Sequence, residues 1–217
     1  FILLAAGKGK RFKSNNPKQF INYVNKPLFM HSVNKAIESK LFKAIIIVSN
    51  VPLKNIKNKS IKVIRGGRER HNSSQKALKF IKKMNFKNVF IHDAARPNFS
   101  IKLLKRLNSN LKKNRAVVPF LKTENSTKYK IKNKIQNLDR NNLLLTQTPQ
   151  CFDFKTLYNL SKLNKKNVTD EASILLNNNQ KIKFIKGEEK NFKITIQSDL
   201  KKINTKCYSV SYTHLTL

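Results

Sequence analysis

A pair of glycines near the start of the chain lies between an apolar run and a group of cations. In LLAAGKGKRF, Gly7 and Gly9 follow apolar residues, and Arg11 and, after NNP, Lys18 come behind them. Such a turn can bring several backbone N–H groups to one point and leaves no side chain in the way of a phosphate. Its spacing fits neither the dinucleotide fingerprint nor the nucleoside-triphosphate loop. We predict a phosphate-binding turn, with the Arg11 fork and the Lys18 ammonium beside it. In so lysine-rich a chain Lys18 alone would be a surface cation, and its place after NNP favours the site.

An aspartate follows a second apolar run, in HDAARP. Asp93 follows the apolar run 89–91, after His92, and is expected at the carboxyl end of a strand. In a chain with 11 acidic and 46 basic residues, a carboxylate there is well placed to hold Mg²⁺ against a phosphate. A turn or helix-capping aspartate gives the same pattern. His92 is predicted to be an ordinary strand residue, because no second His lies at metal-ligand spacing.

Two more turns carry polar residues where a helix is about to begin. GGRERHNSS could place Ser73 and backbone amides near Gly67 against a base or ribose, or it could be an ordinary helix cap. TDEAS indicates a capping motif, with Thr169 before the acids of a first helical turn. Lys193 is a cation inside a strand-like stretch, and its local sequence does not single it out.

These candidate residues lie between segments that alternate between strand and helix patterns. Short, β-branched apolar runs predict strands buried on both faces, at 1–6, 43–50, 61–67 and 88–97. Apolar residues at helical spacing predict helices at 28–42, 74–84 and 100–111, the last with Ser100 as its N-cap. The alternation favours a three-layer α/β domain with a parallel sheet and with ligands at the carboxyl ends of the strands.

The pattern changes in the middle of the chain. Between about 121 and 142, Tyr129, Ile131, Ile135 and Leu138 alternate with polar residues, which is typical of a hairpin. Such an arm has too little core to be stable alone, so it must lie on its own domain or dock on a second subunit. The remaining elements are predicted strands at 116–120, 148–152, 182–187 and 192–196, and helices at 155–163, 169–177 and from about 199.

Composition narrows the class of protein. At 217 residues the chain fits one domain, and no stretch approaches the roughly 20 apolar residues of a membrane span, so we expect a cytoplasmic protein without a membrane partner. Cys151 and Cys207 suggest neither a disulfide framework nor a zinc site. The final stretch 207–217 lacks Lys and Asn and is interpreted as a tail, possibly non-native, outside a domain at 1–206. Native residues are expected to be missing at both ends.

The net charge of +35 would suit a polyanionic partner. The lysines, however, are mixed with Asn and Ile in every segment, which resembles the coding bias of an AT-rich genome more than a nucleic-acid surface. The sequence also has neither an RNA-recognition aromatic signature nor a helix-turn-helix pattern. We therefore keep a basic nucleic-acid-binding protein as an alternative of another class, and expect no specific nucleic-acid partner.

Read in chain order, seven motifs resemble one enzyme family: LAAGKGKRF, NPKQF, GGRERHNS, HDAARP, LDRNNLLLTQTPQCF, VTDEAS and NFKIT. From about Ile2 to Leu200 the chain is similar to the 2-C-methyl-D-erythritol 4-phosphate cytidylyltransferases of the non-mevalonate isoprenoid pathway. The resemblance implies a Rossmann-like nucleotide-diphospho-sugar transferase fold, with the arm packed on its counterpart in a homodimer. It implies a reaction that joins CTP to the phosphate of methylerythritol phosphate and releases pyrophosphate. A related cytidylyltransferase for another polyol phosphate, such as ribitol 5-phosphate, is the nearest alternative.

The resemblance also implies roles for single residues. On the nucleotide side, the residues that resemble the CTP triphosphate loop are Ala5, Ala6, Gly7 and Gly9. The residues that resemble the family's catalytic cations are Arg11, Lys18 and Lys193. Gly67 and Ser73 resemble part of the cytidine pocket, and Asp93 resembles the ligand of Mg²⁺ or another divalent cation. On the acceptor side, the substrate contacts are implied to be Ala94, Arg96, Arg140, Thr148 and Thr169. Arg140, on the arm, resembles a residue that reaches a neighbouring subunit's substrate.

One stretch departs from the family pattern. Where the family usually has Pro closely followed by Asp-Thr before the arm, this chain has PFLKTENSTK. Either Thr123 or Thr127 could take the role of the substrate-phosphate contact, and the sequence does not choose between them.

Overall fold

A mixed β-sheet forms the centre of the computed structural model, which describes residues 1–12, 17–53, 56–164 and 168–205. The strands are β1 Ile2–Leu4, β2 Asn22–Tyr23, β3 Lys26–Pro27, β4 Ile45–Val48, β5 Ile61–Ile64, β6 Asn88–Asp93, β7 Ala116–Leu121, β8 Thr127–Ile131, β9 Lys134–Leu138, β10 Leu145–Thr146, β11 Gln150–Asp153 and β12 Lys183–Lys186. The helices are α1 Leu28–Glu38, α2 Arg70–Ile81, α3 Ile101–Leu111, α4 Phe154–Leu163, α5 Glu171–Leu176 and α6 Ser198–Thr205. The tail predicted at 207–217 lies outside the described residues.

The order of the main sheet is β10-β7-β11-β6-β1-β4-β5, and β12 pairs with β7. Strands β1, β4, β5 and β6 are parallel, as predicted. The prediction of a parallel sheet is wrong for two strands, because β11 runs antiparallel to both β6 and β7 and β10 runs antiparallel to β7, whereas β12 pairs parallel with β7. Apolar runs indicate burial on both faces but not strand direction, so the sequence could not reveal this reversal.

Helices cover both faces of the sheet, which confirms the three-layer α/β class. Helices α1 and α3 pack on one face through residues such as Val33 and Leu104. Helices α2, α4 and α5 pack on the other through residues such as Leu78, Leu157 and Leu175. Among the described residues no helix has the length and apolar character needed to cross a membrane.

Several predicted boundaries are wrong for identifiable reasons. Helix α1 ends at Glu38 rather than near 42, and Lys40 follows in the left-handed region with a φ of 55°. Helix α2 begins at Arg70 rather than 74, because the amide of Glu69 donates to the side chain of Asn72 at 3.1 Å and closes the first turn earlier. Strand β5 is the last in the order of the sheet and leaves Val63 42% exposed, so it is not buried on both faces.

Two predictions near the carboxyl end also need correction. Asp170, not Thr169, is the N-cap of α5, and its carboxylate accepts from the amide of Ser173 at 3.1 Å. The segment 192–196 is not a strand. It is joined to the fold by a hydrogen bond from the Ile194 amide to the Ala95 carbonyl, and by the apolar cluster in which Ile194 is buried.

The predicted arm is present as the separate two-stranded sheet of β8 and β9. Its register pairs Tyr129 with Gln136 and Ile131 with Lys134, and therefore puts these residues on one face. Ile135 pairs with Lys130 and lies on the opposite face. Tyr129, Ile131 and Ile135 are 50%, 48% and 67% exposed. The arm thus presents apolar side chains that its own domain does not cover.

Candidate active site

The carboxyl ends of β1 and β6 open into a cleft of about 660 Å³. These strands are parallel neighbours, and Leu4 pairs with Asp93 at their ends. Because of this register, the glycine turn after β1 and the aspartate that ends β6 reach the same cleft. The cleft is lined by ten residues that the sequence and the resemblance had singled out, namely Ala6, Gly7, Gly9, Arg11, Lys18, Gly67, Ser73, Asp93, Ala94 and Lys193.

Asp93 lies between two cations. Its Oδ1 accepts from Arg70 Nε at 3.0 Å, and its Oδ2 accepts from Lys193 Nζ at 2.8 Å. Burial by itself would raise the pKa of this carboxyl group, but the charges of Arg70 and Lys193 outweigh burial and hold the pKa well below its usual range. Asp93 is therefore a fixed, ionised carboxylate at neutral pH.

Arg70 was not among the predicted site residues. Its Nη1 and Nη2 donate to the two oxygens of Glu171 at 2.8 and 3.0 Å, in the two-pronged geometry that suits guanidinium and carboxylate. Burial would lower the pKa of Arg70, but Glu171 and Asp93 raise it above its ordinary value. Arg70 is the first residue of α2 and Glu171 the first of α5, so the sequence showed two helix starts and gave no sign of their contact.

Lys18 approaches the cleft from a short 3-10 helix, Lys18–Phe20. Its Nζ donates to the carbonyl of Ile194 at 2.5 Å, a neutral partner. Burial, followed by repulsion from Lys193 and Arg11, lowers the pKa of Lys18 to about 8. An anion that enters the cleft would relieve this repulsion, so the arrangement favours a negatively charged ligand.

The glycines of the cleft serve different purposes. A Cβ built on Gly7 would meet no protein atom within 4 Å, so the protein's own packing does not require glycine there, and the free space belongs to the cleft. Gly9 has a φ of +64°, which favours glycine for conformational reasons. A Cβ on Gly67 would lie 2.4 Å from the Cβ of Asn72, so this glycine is fixed by the close approach of α2.

The hydroxyl of Ser73 holds the turn before α2. It accepts from the Gly67 amide at 3.0 Å and donates to the Glu69 carbonyl at 3.1 Å. Ser73 is only 3% exposed, although it lines the cleft. In the structure it fixes the Gly67 backbone, while Glu69 is the N-cap of α2, and a contact of this turn with a base or ribose stays a prediction.

Five predicted site residues do not line the cleft, and three of them lie close behind it: Ala5, Thr148 and Arg96. The Ala5 carbonyl accepts from Gln19 Nε2 at 2.7 Å. Thr148 is buried, and its Oγ1 accepts from the Asp93 amide at 3.1 Å and lies 3.0 Å from His92 Nδ1. The Arg96 guanidinium donates to the Asn191 carbonyl at 2.8 Å.

His92 is a buried strand residue, as predicted, and it supports the position of Thr148. Its Nε2 lies 3.0 Å from the carbonyl oxygen of Arg96, and burial lowers the pKa of His92 to about 3. In the neutral ring that results, Nε2–H donates to that carbonyl, and Nδ1 accepts from the Thr148 hydroxyl.

The other two predicted residues are exposed and do not line the cleft. Thr169 precedes the cap of α5. Arg140 lies on the arm, where its Nη1 donates to the carbonyl of Glu124 at 2.7 Å. Neither Thr123 nor Thr127 lines the cleft, and each has a hydrogen bond to the backbone of Asn125 instead. A single chain therefore brings the nucleotide-side residues together and leaves part of the predicted acceptor side apart.

Asp93 is the one acidic residue that the sequence pattern assigned to a metal. Across the described part of the chain, no three His, Cys, Asp or Glu side chains come together as a metal site. Each Asp93 oxygen accepts one of the bonds described above and retains a second lone pair, so a cation could still be bound. Mg²⁺ is usually held by one or two carboxylates together with substrate phosphates. The residues fit Mg²⁺ in that mode, with a single protein carboxylate.

Comparison with known proteins agrees with this geometry. A family model described as "IspD: 2-C-methyl-D-erythritol 4-phosphate cytidylyltransferase" matches residues 1–206. A bifunctional enzyme IspD/IspF from Pelagibacter ubique is 47% identical over 98% of the chain, which spans 58% of that relative's length. The 2-C-methyl-D-erythritol 4-phosphate cytidylyltransferase of Thermosipho melanesiensis is 36% identical, with 92% of this chain and 93% of the relative covered.

Solved structures show the same fold. The Francisella tularensis 2-C-methyl-D-erythritol 4-phosphate cytidylyltransferase superposes with a TM-score of 0.82 at 30% identity, covering 94% of this chain and 98% of the other. The bifunctional IspDF of Campylobacter jejuni gives a TM-score of 0.83 at 33% identity, covering 94% of this chain and 53% of the other.

Proposed function

Because the chain belongs to the 2-C-methyl-D-erythritol 4-phosphate cytidylyltransferase family, we propose that it joins CTP to 2-C-methyl-D-erythritol 4-phosphate, giving 4-diphosphocytidyl-2-C-methyl-D-erythritol and pyrophosphate. The observation that carries this proposal is the cleft shared by the glycine turn, Asp93, Lys18 and Lys193. It combines a backbone turn suited to phosphates with cations and one ionised carboxylate.

In the proposed reaction, an oxygen of the acceptor phosphate attacks the α-phosphorus of CTP. A new P–O bond forms, the bond between the α-phosphorus and the bridging oxygen breaks, and pyrophosphate leaves with the electron pair. The attacking phosphate is already an anion, so the step needs no general base and no covalent intermediate. Negative charge grows on the oxygens around the α-phosphorus, and positioning and electrostatic stabilisation supply the catalysis.

The cations of the cleft are suited to that charge. Lys18 Nζ has a neutral carbonyl partner, so its full charge is available to phosphate oxygens. Lys193 and Arg11 line the same cleft. We assign the triphosphate to the glycine turn with these cations, and the cytidine to the turn that Gly67 and Ser73 form.

Asp93 would hold Mg²⁺ together with oxygens of the triphosphate, and the metal would supply further neutralisation of phosphate charge. Lys193 and Arg70 would keep the carboxylate ionised and oriented, because each already donates to one of its oxygens. On the acceptor side, we assign substrate contacts to Ala94 and Arg96. Thr148 would support the position of Asp93, because its hydroxyl oxygen accepts from the Asp93 amide.

We further propose that the chain works as a homodimer through the arm. The apolar side chains of Tyr129 and Ile131 lie exposed on one face of the arm. Exposed apolar patches of this kind commonly mark protein interfaces. Arg140, near the base of the arm, would then approach the acceptor site of the neighbouring subunit, as would the threonine at 123 or 127.

The direct test is an acceptor series. The protein is incubated with CTP, Mg²⁺ and either 2-C-methyl-D-erythritol 4-phosphate or ribitol 5-phosphate, and pyrophosphate release is followed. We expect release with the methylerythritol phosphate, and loss of it when CTP is replaced by ATP. Faster turnover with ribitol 5-phosphate would replace the proposed acceptor, and no release with any acceptor would contradict the proposed function.

A further inference from the structure

Gln19 is a buried polar residue next to Lys18, and the reaction described above does not use it. It is 4% exposed and belongs to the 3-10 helix Lys18–Phe20. Its Nε2 donates to the carbonyl oxygens of Ala5 at 2.7 Å and of Gly7 at 2.8 Å. Both N–H groups of the side-chain amide are thus used, and both on the glycine turn.

These two bonds fix the direction of two peptide planes. In a planar trans peptide, the carbonyl of one residue and the N–H of the next point in opposite directions. With the carbonyls of Ala5 and Gly7 held towards Gln19, the amides of Ala6 and Lys8 point away from it. Asn50 Nδ2 acts in a similar way on the carbonyl of Ala6, at 3.4 Å.

The amides so directed are available to a ligand. The amides of Ala6, Gly7 and Lys8 donate to no other residue that the structure describes. All three residues line the cleft. Free, pre-oriented N–H groups of this kind form the concavities that bind phosphate in proteins. The turn is therefore ordered for an anion before one arrives, and Gln19 holds that order.

We propose that Gln19 is a positioning residue that fixes the amides of the glycine turn towards the triphosphate of CTP, an inference that rests on the proposed function. Because Gln19 follows Lys18 directly, the same short helix also sets the distance between the turn and the Lys18 ammonium. Gln19 also lines the cleft, but both N–H groups of its side chain are used on the turn. It acts through the backbone of Ala6 and Lys8.

Two variants test this role in different ways. Gln19→Glu has the same shape but directs a carboxylate at two carbonyl oxygens, and Gln19→Met has a similar length and no donor. The matched control is Gln75→Glu, since Gln75 Nε2 also donates to a backbone carbonyl, that of Ser161 at 2.7 Å, away from the cleft lining. Dissociation constants for CTP are measured by calorimetry and those for cytidine by ligand-observed NMR, and thermal unfolding reports folding.

We expect both Gln19 variants to bind CTP at least about tenfold more weakly, the effect of losing an oriented hydrogen bond to a charged group. Their affinity for cytidine, which has no phosphates, should stay within about twofold of the wild type. Gln75→Glu should match the wild type with both ligands. A general structural defect would weaken CTP and cytidine alike, so the ratio of the two constants isolates the positioning role.

The possible failures are distinct. Gln19 variants that bind CTP like the wild type, or that lose CTP and cytidine affinity equally, would overturn the inference and leave the proposed function standing. Failure of both variants to fold would assign Gln19 to stability and would also overturn it. A wild-type chain that binds no CTP would overturn the proposed function itself, and the inference with it.

Discussion

Lys18 and Lys193 line the same cleft, but their ammonium groups have different hydrogen-bond partners. Lys193 Nζ donates to the Asp93 carboxylate at 2.8 Å, whereas Lys18 Nζ donates to a neutral carbonyl at 2.5 Å. Lys193 is thus partly neutralised before a substrate binds, and Lys18 is not. At the scale of single residues, Lys18 is therefore the one of these two lysines whose charge is more available to a developing phosphate charge.

Replacing Lys18 tests that assignment. Lys18→Ala is expected to lower kcat by about 10²–10³ and to change the dissociation constant for CTP much less, because charge grows in the transition state. Lys193→Ala should also lose turnover more than CTP affinity. Steady-state rates of pyrophosphate release measure both, with exposed Lys102→Ala as the control. Near-normal turnover in either site variant would show that its assigned role is wrong.

The lowered pKa of Lys18 predicts a pH dependence. With a pKa of about 8, its ammonium is charged below that pH and loses its proton as pH rises. We expect kcat/KM for CTP in the wild type to fall as pH increases through about 8. Lys18→Arg should remove this fall whatever its overall rate, because arginine stays protonated. An identical alkaline limb in Lys18→Arg would assign the titration to another group.

At the scale of elements, one ion cluster joins three of them. Arg70 at the start of α2 contacts both Asp93 at the end of β6 and Glu171 at the start of α5. Glu171 is buried, with a side chain 1% exposed. The cluster thus fixes two helix starts to the strand end that carries the metal-binding candidate, and it links stability to the geometry of the site.

Breaking this cluster from one side should be costly. Glu171→Gln is expected to lower the free energy of unfolding by about 1–3 kcal/mol, because the partly buried Arg70 loses one of its two carboxylate partners and keeps Asp93. Exposed Glu38→Gln should change it by less than about 0.5 kcal/mol. Urea denaturation measures both. A double variant, Arg70→Met with Glu171→Met, should lose less than the sum of its single changes, and strict additivity would argue against direct coupling.

At the scale of the whole molecule, the arm is the part with apolar side chains that its own domain leaves exposed. Tyr129 and Ile131 share one exposed face of the arm, and Ile135 lies on the other. The proposed dimer would cover the first face and bring to the cleft the predicted acceptor-side residues that do not line it in a single chain. Arg140 is the clearest of these, since it is exposed on the arm and does not line the cleft.

The two faces give a matched test of the dimer. Ile131→Glu should convert a species of two chains to one of about 25.2 kDa in sedimentation velocity, because it places a charge in the covered face. It should also raise KM for the acceptor. Ile135→Glu makes the same change on the opposite face and should leave the dimer intact. Equal behaviour of the two variants would contradict the proposed interface.

The sequence by itself determined the local parts of this protein. Residues 3–11 and 92–97 each place a turn directly after an apolar strand, and the carboxyl ends of parallel strands share an edge, so the meeting of Gly7 and Asp93 followed from pattern. The three layers and the hairpin arm followed from periodicity. These features depend on neighbours along the chain, which a sequence displays.

Tertiary structure alone decided the contacts between distant segments. The pairing of Arg70 with Glu171 crosses 101 positions, and each residue by itself looks like part of a helix start. Periodicity reports which residues are buried but not the partners of their backbone groups. The segment 192–196, with Ile194 buried, was therefore predicted as a strand although it forms none. The direction of β11 and the support that Gln19 gives the glycine turn were likewise set by packing, because both depend on which segments meet in space.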